Sequence, residues 1–128
     1  GLVAIAAAKA GAAQVIAAEV DRYAVAALRL NLKLNDVTAS VHHGDPTGAG
    51  PPPVDLVLVG DLFYAADLAE RVVAFLDRCL DLGIEALVGD PSREFLPADR
   101  LCELARYDVA ETGQVASKPS GIFAFGRG

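Results

Sequence analysis

Apolar and polar positions change period several times along this chain, and each change marks an element. Residues 2–10 are Ala-rich and almost wholly apolar, with Gly11 just beyond, which predicts a helix over Leu2–Ala10 closed by a C′ glycine. A short apolar run, Gln14–Val20, predicts a strand. Asp21 stands where an N-cap belongs, before a helix over Tyr23–Leu34 with Ala24, Ala27, Leu28 and Leu34 near one face. Ala39–His43 predicts another short strand. "TGAGPPP", residues 47–53, is a loop, because its Pro and Gly suit neither a helix nor a central strand.

The second half repeats the alternation with stronger signals. Val54–Val59 is a near-continuous apolar run and predicts a strand buried on both faces. Asp67 and Glu70 have capping-box spacing, and Leu68, Val72, Phe75, Leu76 and Cys79 follow at helical period up to Gly83. Ile84–Val88 predicts a strand and "GDPSREFLP" a loop. Pro97 suits the first turn of a short helix through Ala105. Strands near Tyr107–Thr112 and Ile122–Phe125 close the chain. Alternating strands and helices with short loops predict one α/β domain: a doubly wound, mostly parallel sheet with an antiparallel edge at its end.

Ligands of such sheets bind beyond the carboxyl ends of the strands, and here those ends are acidic. "VIAAEVD" ends in Glu19 and Asp21, "SVHHGD" in Asp45, "DLVLVGD" in Asp61 and "EALVGD" in Asp90. A carboxylate after a second strand accepts from a ribose diol, and one after a third can accept from an adenine amino group. The ordered set points to an adenosine-bearing ligand that is cationic, or lacks phosphates, near the later strands. Each acid alone is better explained as a helix cap or turn residue, and only the ordered set favours a ligand.

Composition narrows the class. Over 128 residues, a 53% apolar content is ample for a core, and the net charge of −6 leaves no basic stripe for phosphates, which argues against nucleic acid. The apolar N-terminal stretch is broken by Lys9, Gly11, Gln14 and Glu19, so neither a signal peptide nor a membrane span is expected. Cys79 and Cys102 both fall in predicted helices without metal-ligand spacing, and are read as core thiols in a reducing cytoplasm. His42 and His43 are adjacent and would face opposite sides of a strand, so they form no metal pair, and no metal site is expected. Tyr23 and Tyr107 are read as packing residues. Arg93 is read equally as a contact for a substrate acid and as a loop cap. Lys118 and Arg127 are read as solvated surface charges.

The residues together resemble the class I, seven-stranded S-adenosylmethionine-dependent methyltransferases. Within these the chain is most similar to the group containing the electron transfer flavoprotein beta-subunit lysine methyltransferase and its ribosomal-protein methyltransferase-like bacterial relatives. "GLVAIAAAKAGAAQVIAAEVD" resembles the tail of the glycine-rich first motif, its helix and the acidic second strand. "DLVLVGDLFY" matches the group's Asp-x-x-Tyr motif as Asp61-Leu62-Phe63-Tyr64, and "LVGDPSREFLP" resembles the fifth strand and its loop.

The resemblance implies that Gly1 is the last glycine of the first motif, that Glu19 binds the ribose hydroxyls and that Asp45 faces the adenine. It further implies that Asp61 and Tyr64 stand beside the sulfonium methyl and the incoming amine. The implied reaction is methyl transfer from S-adenosyl-L-methionine to a lysine of a protein substrate, by a monomer. The implied strand order is 3-2-1-4-5-7-6. The acid and the earlier glycines of the first motif are not in this sequence, so the central first strand is expected to be missing and the chain to be a partial methyltransferase domain, itself weak or inactive. The alternatives are a nicotinamide-dependent oxidoreductase of Rossmann type, which leaves Asp-x-x-Tyr unexplained, and a degenerate domain that binds a partner without transfer.

Overall fold

A computed structural model describes residues 1–110, 113 and 115–128. The chain divides into two compact units, Gly1–Ala49 and Gly50–Gly128.

The first unit contains α1 (Leu2–Lys9), β1 (Ile16–Glu19), α2 (Arg22–Leu34), β2 (Ser40–His43) and a 3₁₀ turn over Pro46–Gly48. Gly11, at φ +100°, closes α1 in the left-handed conformation that glycine adopts without a Cβ clash. Asp21 caps α2, its carboxylate accepting from the backbone N–H of Tyr23 and of Ala24. Parallel β1 and β2 pair from Ile16 with Ser40 to Glu19 with His43. Ile5, Leu28 and Leu32 are buried together, with Ala17 and Val41 against them. The inward face of α2 is therefore Val25, Leu28 and Leu32, and Leu34 is exposed rather than inward as the spacing predicted. Replacing Asp21 by alanine removes the cap and is expected to lower stability by about 1 kcal/mol. Urea denaturation of the full-length protein checks this, and an unchanged midpoint would show that the cap contributes nothing.

The second unit contains β3 (Leu56–Gly60), α3 (Ala66–Asp81), β4 (Glu85–Asp90), a 3₁₀ turn over Ala98–Arg100, β5 (Leu101–Ala110) and β6 (Ser117–Phe125). Its sheet runs β3-β4-β6-β5, parallel between β3 and β4 and antiparallel across the other pairs. This matches the fourth, fifth, seventh and sixth strands of the implied order, and β1 and β2 match the second and third. The stripe on α3 is as predicted: Val72, Phe75, Leu76 and Cys79 are buried with Val59, Val88 and Phe123 from the strands. Gly121 is needed for this packing, since a Cβ there would lie 2.3 Å from the ring of Phe123.

Several expectations are corrected. β3 is buried on one face only: Val59 is in the core, while Leu56 and Leu58 on the other face are exposed. Among the described residues β3 pairs with β4 alone, so it is an edge strand here. The helix expected from Pro97 through Ala105 is a single 3₁₀ turn, because residues 101–105 pair with β6 and that ladder overrides local preference. Cys102 is consequently an exposed strand residue and not a core thiol, whereas Cys79 is buried in α3. The strand expected to end at Thr112 begins earlier, at Leu101, and Thr112 lies outside the described residues. α3 starts at Ala66 with Ala65 as its N-cap and no side-chain cap bond, so Asp67 lies in the first turn and forms no capping box. Tyr23 and Tyr107 are mostly exposed rather than packed.

Candidate functional site

In the first unit, parallel pairing of β1 with β2 puts Glu19 beside His43 at the carboxyl ends of both strands. Asp45 follows two residues after β2 on that same edge. Both acids are held by their own turns. Glu19 Oε1 accepts from the backbone N–H of Val20 at 2.9 Å and of Asp21 at 3.0 Å. Asp45 caps its 3₁₀ turn, with Oδ1 accepting from the Thr47 backbone N–H at 2.8 Å and from Thr47 Oγ1 at 2.6 Å. Turn roles and ligand roles are compatible, because a carboxylate accepts at about four sites and the Glu19 bonds use only Oε1. His42 and His43 are exposed, and His43 Nε2 lies 3.1 Å from the Val20 carbonyl. Gly1 packs tightly on α2, since a Cβ there would meet Leu28 Cδ1 at 2.7 Å. Among the described residues no cluster of His, Cys, Asp and Glu is arranged to hold a metal.

In the second unit the turn after β3 divides its residues by chemistry. Phe63 is fully buried in the core and Leu62 packs partly against it, while Asp61 and Tyr64 are exposed. The apolar pair anchors the turn so that the polar pair projects beyond the strand end. Asp61 has φ +53°, a left-handed backbone that costs a non-glycine residue roughly 1 kcal/mol. Its N–H donates to the Gly89 carbonyl at 2.9 Å, fixing it to the end of β4. The Arg93 guanidinium grips the Asp61 carboxylate in a fork, Nε to Oδ1 at 2.7 Å and Nη2 to Oδ2 at 2.9 Å. This bidentate bond holds the Asp61 carboxyl below the usual carboxylate range.

Asp90, the last residue of β4, is the only buried charged residue among those described, at 1% exposure. Its Oδ1 accepts from the Arg93 backbone N–H at 2.7 Å, and Oδ2 is buried without a hydrogen-bond partner among the described residues. Burial pushes this carboxyl above the usual range, and the neighbouring Asp61 adds to the effect against the opposing backbone amides and Arg93. Two carboxyls at adjacent strand ends are thus driven apart, one held ionised and the other toward its neutral form. Sequence reasoning named Asp61 and Tyr64 but missed the Arg93 fork. The signal was present in "GDPSREF": an Asp three residues before an Arg, in the loop of the strand beside Asp61.

The arrangement within the second unit exposes a negative oxygen and a phenol on one turn, chemistry suited to a cationic or amine-bearing group. The electron transfer flavoprotein beta subunit lysine methyltransferase of Rattus norvegicus is 33% identical over 120 residues, covering 89% of this chain and 47% of that protein. The chain thus spans about half the length of the curated relatives it matches. A tRNA (m1A22) methyltransferase-like protein of Streptococcus pneumoniae, Sp1610, superposes with TM-score 0.63 at 14% identity, covering 98% of this chain and 60% of that one. The Pyrococcus abyssi tRNA (uracil-54, C5)-methyltransferase, in complex with S-adenosyl-L-homocysteine, gives TM-score 0.62 at 16% identity, covering 93% and 30%. At these identities the two structures establish the Rossmann-like α/β fold. Residues 1–80 match the ribosomal protein L11 methyltransferase (PrmA) family, and the chain belongs to that family.

Proposed function

We propose that this chain is part of an S-adenosyl-L-methionine-dependent methyltransferase that modifies a lysine amine of a protein substrate. The observation that carries the reading is the turn after β3, where buried Phe63 anchors an exposed Asp61 and Tyr64 beyond a parallel strand end. The relatives named as protein lysine methyltransferases, and the S-adenosyl-L-homocysteine held by a protein of the same fold, support it. The net charge of −6 favours a protein acceptor over a nucleic acid.

The donor set fits the cofactor. Glu19, rigid in its turn with Oε2 not used there, is suited to a ribose diol, and Asp45 at the same strand edge to the adenine. When bound, S-adenosyl-L-methionine supplies a methyl group on a positively charged sulfur. This chain's own part is to bind and orient. Displacement needs the amine nitrogen in line with the methyl, so positioning supplies most of the acceleration. A free lysine amine titrates at about 10.4 and attacks only as the neutral form. Asp61 accepts a hydrogen bond from that amine, and the Tyr64 ring and hydroxyl border it and favour nearby positive charge. We place the protein in a reducing, cytoplasm-like compartment, where its cysteines stay as thiols, and acting as a monomer. Among the described residues no helix is long and apolar enough to cross a membrane.

Incubating the full-length protein with S-adenosyl-L-methionine and a protein lysate, then mapping modified residues by mass spectrometry, is expected to show methyl-lysine. Calorimetry is expected to show binding of S-adenosylhomocysteine and not of NADH. NADH binding without S-adenosylhomocysteine binding would replace the reading with that of an oxidoreductase.

A further inference from the structure

The loops after β3 and β4 are tied to each other more closely than their exposure requires. The Asp61 N–H reaches the Gly89 carbonyl, the Phe95 N–H reaches the Phe63 carbonyl at 3.2 Å, and the Arg93 fork closes over Asp61 between them. Each loop also holds one non-glycine residue in the left-handed region, Asp61 at φ +53° and Ser92 at φ +71°. Strained backbone in both of two joined loops persists only where surrounding bonds determine it. The fixed point is Asp90: a 1%-exposed carboxyl takes the Arg93 backbone N–H on Oδ1, and the chain then turns so that the Arg93 side chain meets Asp61. A solvent-facing ion pair by itself stabilises little, so stability does not account for the construction.

We propose that Arg93 is a positioning residue for methyl transfer, anchored through its backbone by the buried Asp90 carboxyl and holding the Asp61 carboxylate aimed at the acceptor amine. The proposal rests on the reading of Asp61 as the group that meets the amine. A carboxylate has about four acceptor sites and the fork uses one on each oxygen, so Asp61 still has sites for an amine N–H. Held below the usual carboxylate range by Arg93, Asp61 is a poor proton acceptor. Its part is therefore to orient a neutral amine whose proton has already gone to solvent. This also sets the acceptor's chemistry, since a primary amine has N–H groups to spare for Asp61 while its lone pair points elsewhere.

The test uses the full-length protein with ¹³Cγ-labelled aspartate, Asp61 and Asp90 being assigned from Asp61→Asn and Asp90→Asn. The charged group acting on Asp61 is Arg93, and those acting on Asp90 are Asp61 and Arg93. Arg93→Gln is expected to raise the Asp61 titration midpoint and to cut kcat at least tenfold, with S-adenosylhomocysteine affinity within twofold of wild type. Arg93→Lys, a point charge without the fork, is expected to restore the midpoint more fully than kcat. Asp90→Asn keeps an oxygen for the Arg93 amide and is expected to lose less kcat than Asp90→Ala. An Asp61 midpoint and kcat both unmoved in Arg93→Gln, or a kcat restored fully by lysine, would overturn the proposal. If Asp61→Asn is itself fully active, the reading of Asp61 has failed instead. If Asp61→Asn is inactive while Arg93→Gln is unaffected, only the positioning role has failed.

Discussion

Asp61→Asn is expected to lower kcat for methyl transfer by roughly 100- to 1000-fold, the cost typical of losing one preorganised polar group at a reacting centre. Asparagine is the informative replacement, because it tolerates the left-handed backbone that Asp61 occupies at φ +53°. The turn should therefore survive while the negative charge, and half of the grip between this side chain and Arg93, are lost. Since Asp61 is proposed to meet the amine, S-adenosylhomocysteine affinity should stay within a few-fold of wild type. Single-turnover rates with saturating cofactor check this. A rate within tenfold of wild type would remove Asp61 from the reaction.

Phe63→Ala is expected to destabilise the protein by about 3–5 kcal/mol. Phe63 is fully buried among residues of α3 and the strands, so its removal leaves a cavity that this close-packed layer fills only in part. Such a loss is a large share of the roughly 5–15 kcal/mol that holds a typical domain together. The same residue gives its carbonyl to the Phe95 N–H and lies between Asp61 and Tyr64. Core and proposed chemistry therefore share one short turn, and a drop in urea midpoint is expected to be accompanied by loss of transfer even under folding conditions. A loss below 1 kcal/mol would mean that the turn repacks freely and is not anchored by the ring.

What could be read in the sequence was what local chemistry fixes. The α3 stripe, the Asp21 cap, the Gly11 stop and the polar turn after β3 each follow from neighbouring residues, and each is present. Long-range pairing decided the rest. Residues 101–105 look helical after Pro97, yet β6 takes them as a strand partner. The apolar run of β3 looks buried on both sides, yet Leu56 and Leu58 face away from the α3 layer and are exposed. For the site, sequence pattern identified the acids at the strand ends but not their condition. That Asp61 is gripped by Arg93 and Asp90 is sealed from solvent depends on two loops, about thirty residues apart, lying side by side.

Gly121 gives one of these contacts a longer reach. It is the register partner of Asp90 across the antiparallel pair of β4 and β6, and the Phe123 ring lies where its side chain would be. The smallest possible enlargement there, a single methyl, must displace an aromatic ring that is nearly sealed in the interior. A position that looks like a spacer in a C-terminal hairpin is in this way reserved for glycine by the core, on the strand that pairs with the end of β4.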